Sequence, residues 1–196
     1  MGNSRAYAVH RTEDALEAYA RARTLVALLA TTDDTVHVDA EVRTVAEFRA
    51  VAALLPGASV DHPEVRRDPA TGAYLECALD PATATDDEIR AELPLSLWKA
   101  VPPGTVEEAV VRAAPGGSTS VDWQGCWPDD PGTGAVGSPQ YDGVQLVLHG
   151  DRAQIDGWTP HHTVFVHTSK WGDPARAERL AARIGSTVLD GPQIGW

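Results

Sequence analysis

Apolar residues recur along this chain with two different periods, and the switch between them maps its elements. Residues 35–42, TVHVDAEV, alternate strictly, with Val36, Val38, Ala40 and Val42 on one side and His37, Asp39 and Glu41 on the other. Side chains two apart share one face of a strand, so this segment predicts a half-buried strand whose histidine faces water among acids. Steps of three and four replace the alternation on either side. Ala15, Tyr19, Ala22, Val26 and Leu29 line one helical face. Thr12, Glu13 and Asp14 mark its start, because acids offset the partial positive charge of exposed N–H groups there. In TVAEFRAVAALLPG (44–57), Thr44 and Glu47 have capping-box spacing, Phe48, Val51, Ala52 and Leu55 form the buried stripe, and Pro56–Gly57 ends the helix. With RAYAVH (5–10) as a first strand, the N-terminal third mixes strands and helices.

The middle of the chain is more broken. ASVDH (58–62) and AYLECAL (73–79) are strand candidates, separated by the turn-rich RRDPATG. Thr85 with Glu88, and Thr105 with Glu108, repeat the Thr-x-x-Glu cap. Pro94, Pro102 and Pro103 lie between them, which predicts two short helices and an interrupted connection, with Ser96 of SLWK as a helix-surface or cap residue.

From residue 118 onward short strands dominate. STSVDW (118–123), VQLVLH (144–149), AQIDGW (153–158) and TVFVHT (163–168) fit strands, with HGDR (149–152) as a hairpin turn. Asp173 and Pro174 open a helix that turns Ala177, Leu180, Ala181 and Ile184 inward and ends at Gly185; STVLD (186–190) follows as a last strand. The expected fold is α+β: two layers, a mainly antiparallel sheet with helices packed on one face. A length of 196 residues suits one domain over 1–196, a subdivision near 114–118 being the alternative. Residues 124–143 hold five Gly and three Pro, a long loop suited to a lid or a contact surface.

Charge narrows the partners. Sixteen basic against 28 acidic residues give a net charge of −12, which opposes phosphate backbones and anionic lipid. Nucleic-acid and membrane binding are therefore not expected, and no apolar run approaches the roughly 20 residues that span a bilayer. The opening MGNSRAYAVH lacks a basic-then-apolar leader pattern, and the two cysteines, Cys77 and Cys126, form no CxxC pair. A cytoplasmic protein with reduced thiols is expected.

Candidate chemistry is sparse. GTGAVG (132–137) matches G-x-G-x-x-G, but no strand precedes it, no helix follows, and Asp129 and Asp130 oppose phosphate. SLWK lacks the companion motifs that would make its serine a nucleophile. Cys126, between Trp123 and Trp127 in DWQGCWPDD, sits among carboxylates that disfavour a thiolate. In GWTPHHTVFVHT (157–168), an extended backbone puts His161, Thr163, Phe165 and His167 on one face and His162, Val164 and Val166 on the core side. His161 and His167 are then roughly 20 Å apart, too far to share one zinc. His167 needs a partner from another strand, with His149 or Asp156 as candidates. No metal or cofactor is expected.

Two functions fit. The first is a cytoplasmic, non-catalytic acidic binding protein of immunity or inhibitor type that engages a basic protein partner, with Trp123, Trp127 and Tyr141 as anchors. The second is a small-molecule enzyme or ligand-binding domain, metal-assisted or not. Its site would lie on the C-terminal sheet under the 124–143 loop, with His149, His167, Asp156 and Cys126 as candidate residues.

Overall fold

The computed structural model describes residues 3–113, 115–132 and 134–196. Its elements run β1 (Arg5–Thr12), α1 (Ala15–Val26), β2 (Thr31–Val42), α2 (Val45–Leu54), β3 (Ser59–Asp61), α3 (Asp86–Glu92), β4 (Leu95–Val101), α4 (Glu107–Ala113), β5 (Thr119–Cys126), β6 (Asp142–Leu148), β7 (His162–Thr168), α5 (Pro174–Arg183) and β8 (Gln193–Ile194). The strands form one eight-stranded sheet in the order β3-β4-β2-β5-β6-β7-β1-β8, every neighbouring pair antiparallel. The α+β class and the two-layer arrangement are as the periodicity predicts.

Alternation explains the helix-side core. Val36, Val38, Ala40 and Val42 of β2, Val121 and Trp123 of β5, Val144, Leu146 and Leu148 of β6, and Val164 and Val166 of β7 all point to one side. There they meet Ala22 and Leu25 of α1, Phe48 and Val51 of α2, Ile89 of α3, Val110 and Val111 of α4, and Ala177 and Ala181 of α5. Capping fixes the helix starts. Thr44–Glu47 and Thr85–Glu88 both form complete reciprocal boxes. Asp14 caps α1, accepting from the Leu16 and Glu17 amides at 2.9 and 3.1 Å.

Several expectations fail, each for a local reason. Residues 95–101 are a strand, because Leu95, Leu97 and Val101 alternate inward and the prolines at 94, 102 and 103 bound it. Ser96 is accordingly a strand residue. Thr105 and Glu108 form no box: the fully buried Glu107 carboxylate takes the Gly104 and Val106 amides at 2.6 and 3.1 Å, and the Thr105 hydroxyl donates to the Pro102 carbonyl. AYLECAL is mostly exposed and makes one isolated bridge, Arg67 with Tyr74. STVLD contributes a hydrogen bond from the Leu189 amide to the Ala8 carbonyl, while the β1 edge is paired by β8 instead. AQIDGW is loop, with Ile155 at φ 55°, a conformation β-branched residues rarely adopt.

That loop shapes the second face. Residues 149–161 fold back over the sheet side away from the helices, where Ala153 and Ile155 pack on Ala6, Ala8, Val147 and Phe165. Residues 193–196 lie beside them, tied by the Gln154 side chain to the Ile194 and Gly195 carbonyls and by the Gln193 side chain to Ala153 and Asp151. β6 and β7 are thereby buried on both faces, and His167 does not lie on a solvated surface. No helix among the described residues is long and apolar enough to cross a membrane.

Candidate functional site

Strand parity assembles a polar row on the face opposite the helices. His37 of β2 lies across from Asp122 of β5, Asp39 across from Ser120 of β5 and Trp98 of β4, and Asp122 across from Gln145 of β6. Where residues 153–155 of the 149–161 segment border it, this row floors a cleft of about 390 Å³, whose walls include Trp98, Gln154 and Trp196.

Two carboxylates dominate it. Burial pushes the Asp122 carboxyl up to about 7; the Gln145 amide and Ser120 hydroxyl offset this only in part, and Asp39 adds to the rise. Oδ2 accepts from Ser120 at 3.3 Å, whereas Oδ1 is shielded from solvent and takes no hydrogen bond. Asp39 is raised as well, first by burial, with the Ser96 hydroxyl that donates to it pulling the other way. An acid whose folded pKa lies above its unfolded value contributes stability at low pH that is lost as pH rises through the folded pKa. Asp122→Asn should therefore gain about 2 to 3 kcal/mol relative to the native protein between pH 5 and pH 8. Denaturant titrations at both values check this, and equal differences at the two would remove the charge burial assigned to Asp122.

His167 finds its partners at the other end of the row. Gln145 Nε2 donates to the Ala153 carbonyl at 3.1 Å, which leaves Oε1 facing His167 Nε2 at 3.1 Å. Nε2 therefore carries the hydrogen, and Nδ1 accepts from the Ser4 hydroxyl at 2.8 Å. Trp196 stacks on the imidazole with ring centroids 3.4 Å apart, and Gly195 leaves no room for a Cβ against Ser4 and His167. Burial pushes His167 down to about 3. Ser4, His167 and Gln145 have the connectivity of a nucleophile and its base, but all three are closed off from solvent. They act as a neutral seam that fixes residues 193–196 to the sheet.

The other candidates scatter. His149, at φ 54°, stacks on Trp158 and meets the His162 ring edge-on at 4.7 Å, its amide donating to His162 Nδ1 at 3.1 Å. Neither His149 nor Asp156 contacts His167, which pairs with Ser4 and Gln145 instead; Asp156 is exposed and pairs with Arg152 at 3.5 Å. Burial, with Asp142 and Asp129, pushes the Cys126 thiol up, against use as a nucleophile. Trp123 and Trp127 are 2% and 1% exposed, so neither is presented to a partner; Tyr141 is half-buried. Trp127 donates through Nε1 to the His167 carbonyl at 2.7 Å and through its amide to Asp142 at 3.0 Å.

Those bonds also place the long loop. Asp142 takes the Ser138 amide at 2.8 Å, and Arg176 of α5 donates to the Ala135 carbonyl at 2.9 Å. The segment between β5 and β6 is thus anchored on the helix layer against α5, away from the polar cleft, and does not roof it. Among the described residues no three His, Cys, Asp or Glu side chains converge as a metal site. Comparison with protein-family models, curated proteins and solved structures returns no match to this chain.

Sequence reasoning put Asp39 on the polar side of its strand but left Asp122, Gln145, Trp98, Ser4 and Trp196 out of the site. Parity within STSVDWQ and TVHVDAEV would have aligned Asp39 and Asp122; only the β2–β5 register makes them neighbours.

Proposed function

We propose that this chain is a non-catalytic acidic binding protein of the cytoplasm, of immunity or inhibitor type, that docks a basic protein partner on the open sheet face at the Asp39–Asp122 cleft. The observation that carries this is the wall of that cleft, which among the described residues holds two carboxylates and an exposed indole, Trp98, without a lysine or arginine. A carboxyl raised by burial is an unfavourable charge in the free protein, and an incoming cation relieves it. The net charge of −12 would steer such a partner from a distance, and salt would weaken that steering. Trp98 replaces Trp123 and Trp127 as the aromatic anchor, because it is exposed beside the acids.

The test is binding to a panel of purified basic proteins, followed by interferometry at low and at physiological salt. Affinity should fall with salt and drop about tenfold or more for Trp98→Ala and for Asp122→Asn. Binding that is indifferent to salt and to both substitutions rules out this face and this mode. A small-molecule role draws on one observation, that Asp122 titrates close to neutrality and so suits proton transfer. It would use this cleft rather than a site under the 124–143 segment.

A further inference from the structure

We propose that the Asp39–Asp122 cleft is a receptor for an arginine side chain, selecting the guanidinium over the ammonium of lysine. The proposal rests on the basic-partner function above and names the group that enters.

The first argument is charge. The neighbouring clefts carry arginine in their own walls, Arg66 in one, Arg176, Arg23 and Arg152 in others, each beside acids that offset it. Among the described residues, the cleft floored by Asp39 and Asp122 has none. Its negative charge is left for an external cation.

Geometry then chooses between cations. Asp39 faces Ser120 across the β2–β5 pair, so Asp39 and Asp122 occupy diagonal positions two residues out of register. Diagonal side chains of an antiparallel pair start about 7 Å apart. A single ammonium is a compact point donor and binds well to one carboxylate at a time. A guanidinium spreads five N–H groups around a rigid plane and bridges two carboxylates held at such a spacing. The Ser120 hydroxyl, between the two acids, adds an acceptor for a remaining N–H.

The third argument is the indole. Trp98 sits opposite Asp39 on β4 and stays 48% exposed, a large apolar ring left uncovered at the edge of an acidic well. Guanidinium is weakly hydrated and stacks on aromatic faces while keeping its in-plane hydrogen bonds, which a strongly hydrated ammonium does less well. A further sign of an unfilled interaction is Asp122 Oδ1, shielded from solvent and without a hydrogen-bond partner among the described residues, the nearby Gln145 amide offsetting its burial only in part while donating to the Ala153 carbonyl.

The experiment titrates arginine amide and lysine amide into the full chain at pH 8, followed by NMR shifts of the Trp98 indole and the β2 and β5 amides. Arginine amide should bind about tenfold tighter, the worth of one extra charge-assisted contact. Asp39→Asn should erase the preference, and Trp98→Ala should weaken arginine amide more than lysine amide. Asp122→Asn, expected to fold at least as stably as the native chain, keeps the test readable if Asp39→Asn does not fold. Equal affinities for the two amides overturn arginine selection while leaving a cation-binding face and the basic-partner function intact. Shifts from neither amide overturn the receptor itself, and basic-protein binding that persists in Asp122→Asn would then move the docking surface elsewhere.

Discussion

Trp127→Ala should lower the stability of the fold by about 4 kcal/mol, because large-to-small substitution of a buried tryptophan removes both transfer free energy and packing. Trp127 is among the largest side chains fully enclosed here, and its loss also leaves the His167 carbonyl without the indole donor at 2.7 Å. That carbonyl belongs to a strand buried on both faces, so water does not simply replace the lost bond. Trp127→Phe keeps an aromatic ring but removes the donor and part of the buried volume; about 2 kcal/mol is expected for it. Equilibrium denaturation of the two variants checks that the smaller truncation costs less. A Trp127→Ala protein of native stability would mean that the ring is not in the core.

The same residue marks the boundary of what composition can reveal. DWQGCWPDD places two tryptophans among three acids, a glycine and a proline, which fits a surface anchor as well as a core plug. The deciding feature is Asp142, fifteen residues on. Its buried carboxylate takes the Trp127 and Ser138 amides and closes the loop at its base. Local signals were more legible. The Thr44 and Thr85 caps depend on side chains three residues apart and formed as expected, whereas Thr105 lost its box to the neighbouring Glu107, which is buried by packing the sequence does not display. Proline misled at 94–103, since a proline bounds a strand as readily as it breaks a helix. For β7 the parity was right, with Val164 and Val166 toward the helices and Phe165 and His167 away. The meaning of "away" was not legible, because it depended on residues 149–161 and 193–196 folding over that face. The candidate site follows the same logic: each strand's own pattern shows that it has a polar side, and only the register across β4, β2, β5 and β6 turns those sides into one cleft.

Acid should set two buried histidines outside the cleft, His162 and His167, against the acidic cleft itself. His162 is pushed down to about 4, first by burial and then by His149, and burial alone holds His167 near 3. A histidine whose folded pKa lies below the unfolded 6.5 contributes stability above pH 6.5 that is lost as pH falls, because the unfolded chain takes up the proton first. Each should cost about 2 kcal/mol between pH 7 and pH 5, roughly 4 kcal/mol together. Asp122 acts in the opposite sense over the same window: its folded pKa of about 7 lies above the unfolded value, so it regains stability as it protonates. From these three groups the native protein should therefore lose about 1 to 2 kcal/mol from pH 7 to pH 5; the raised Asp39 and Asp142 narrow the loss, and His10 and His149, both lowered by burial, widen it in the native protein and the variant alike. Asp122→Asn removes the compensation, and its loss should approach 4 kcal/mol over the same two units. Urea denaturation of both proteins at pH 7, 6 and 5 measures the difference. If the variant and the native protein lose stability in parallel, the carboxylate in the cleft is not buried as a charge, and the cation it was proposed to await would have nothing to relieve. If they diverge, the opposing titrations show that the acidic cleft costs stability at neutral pH, a cost that the neutral His167 in the seam beside it does not share.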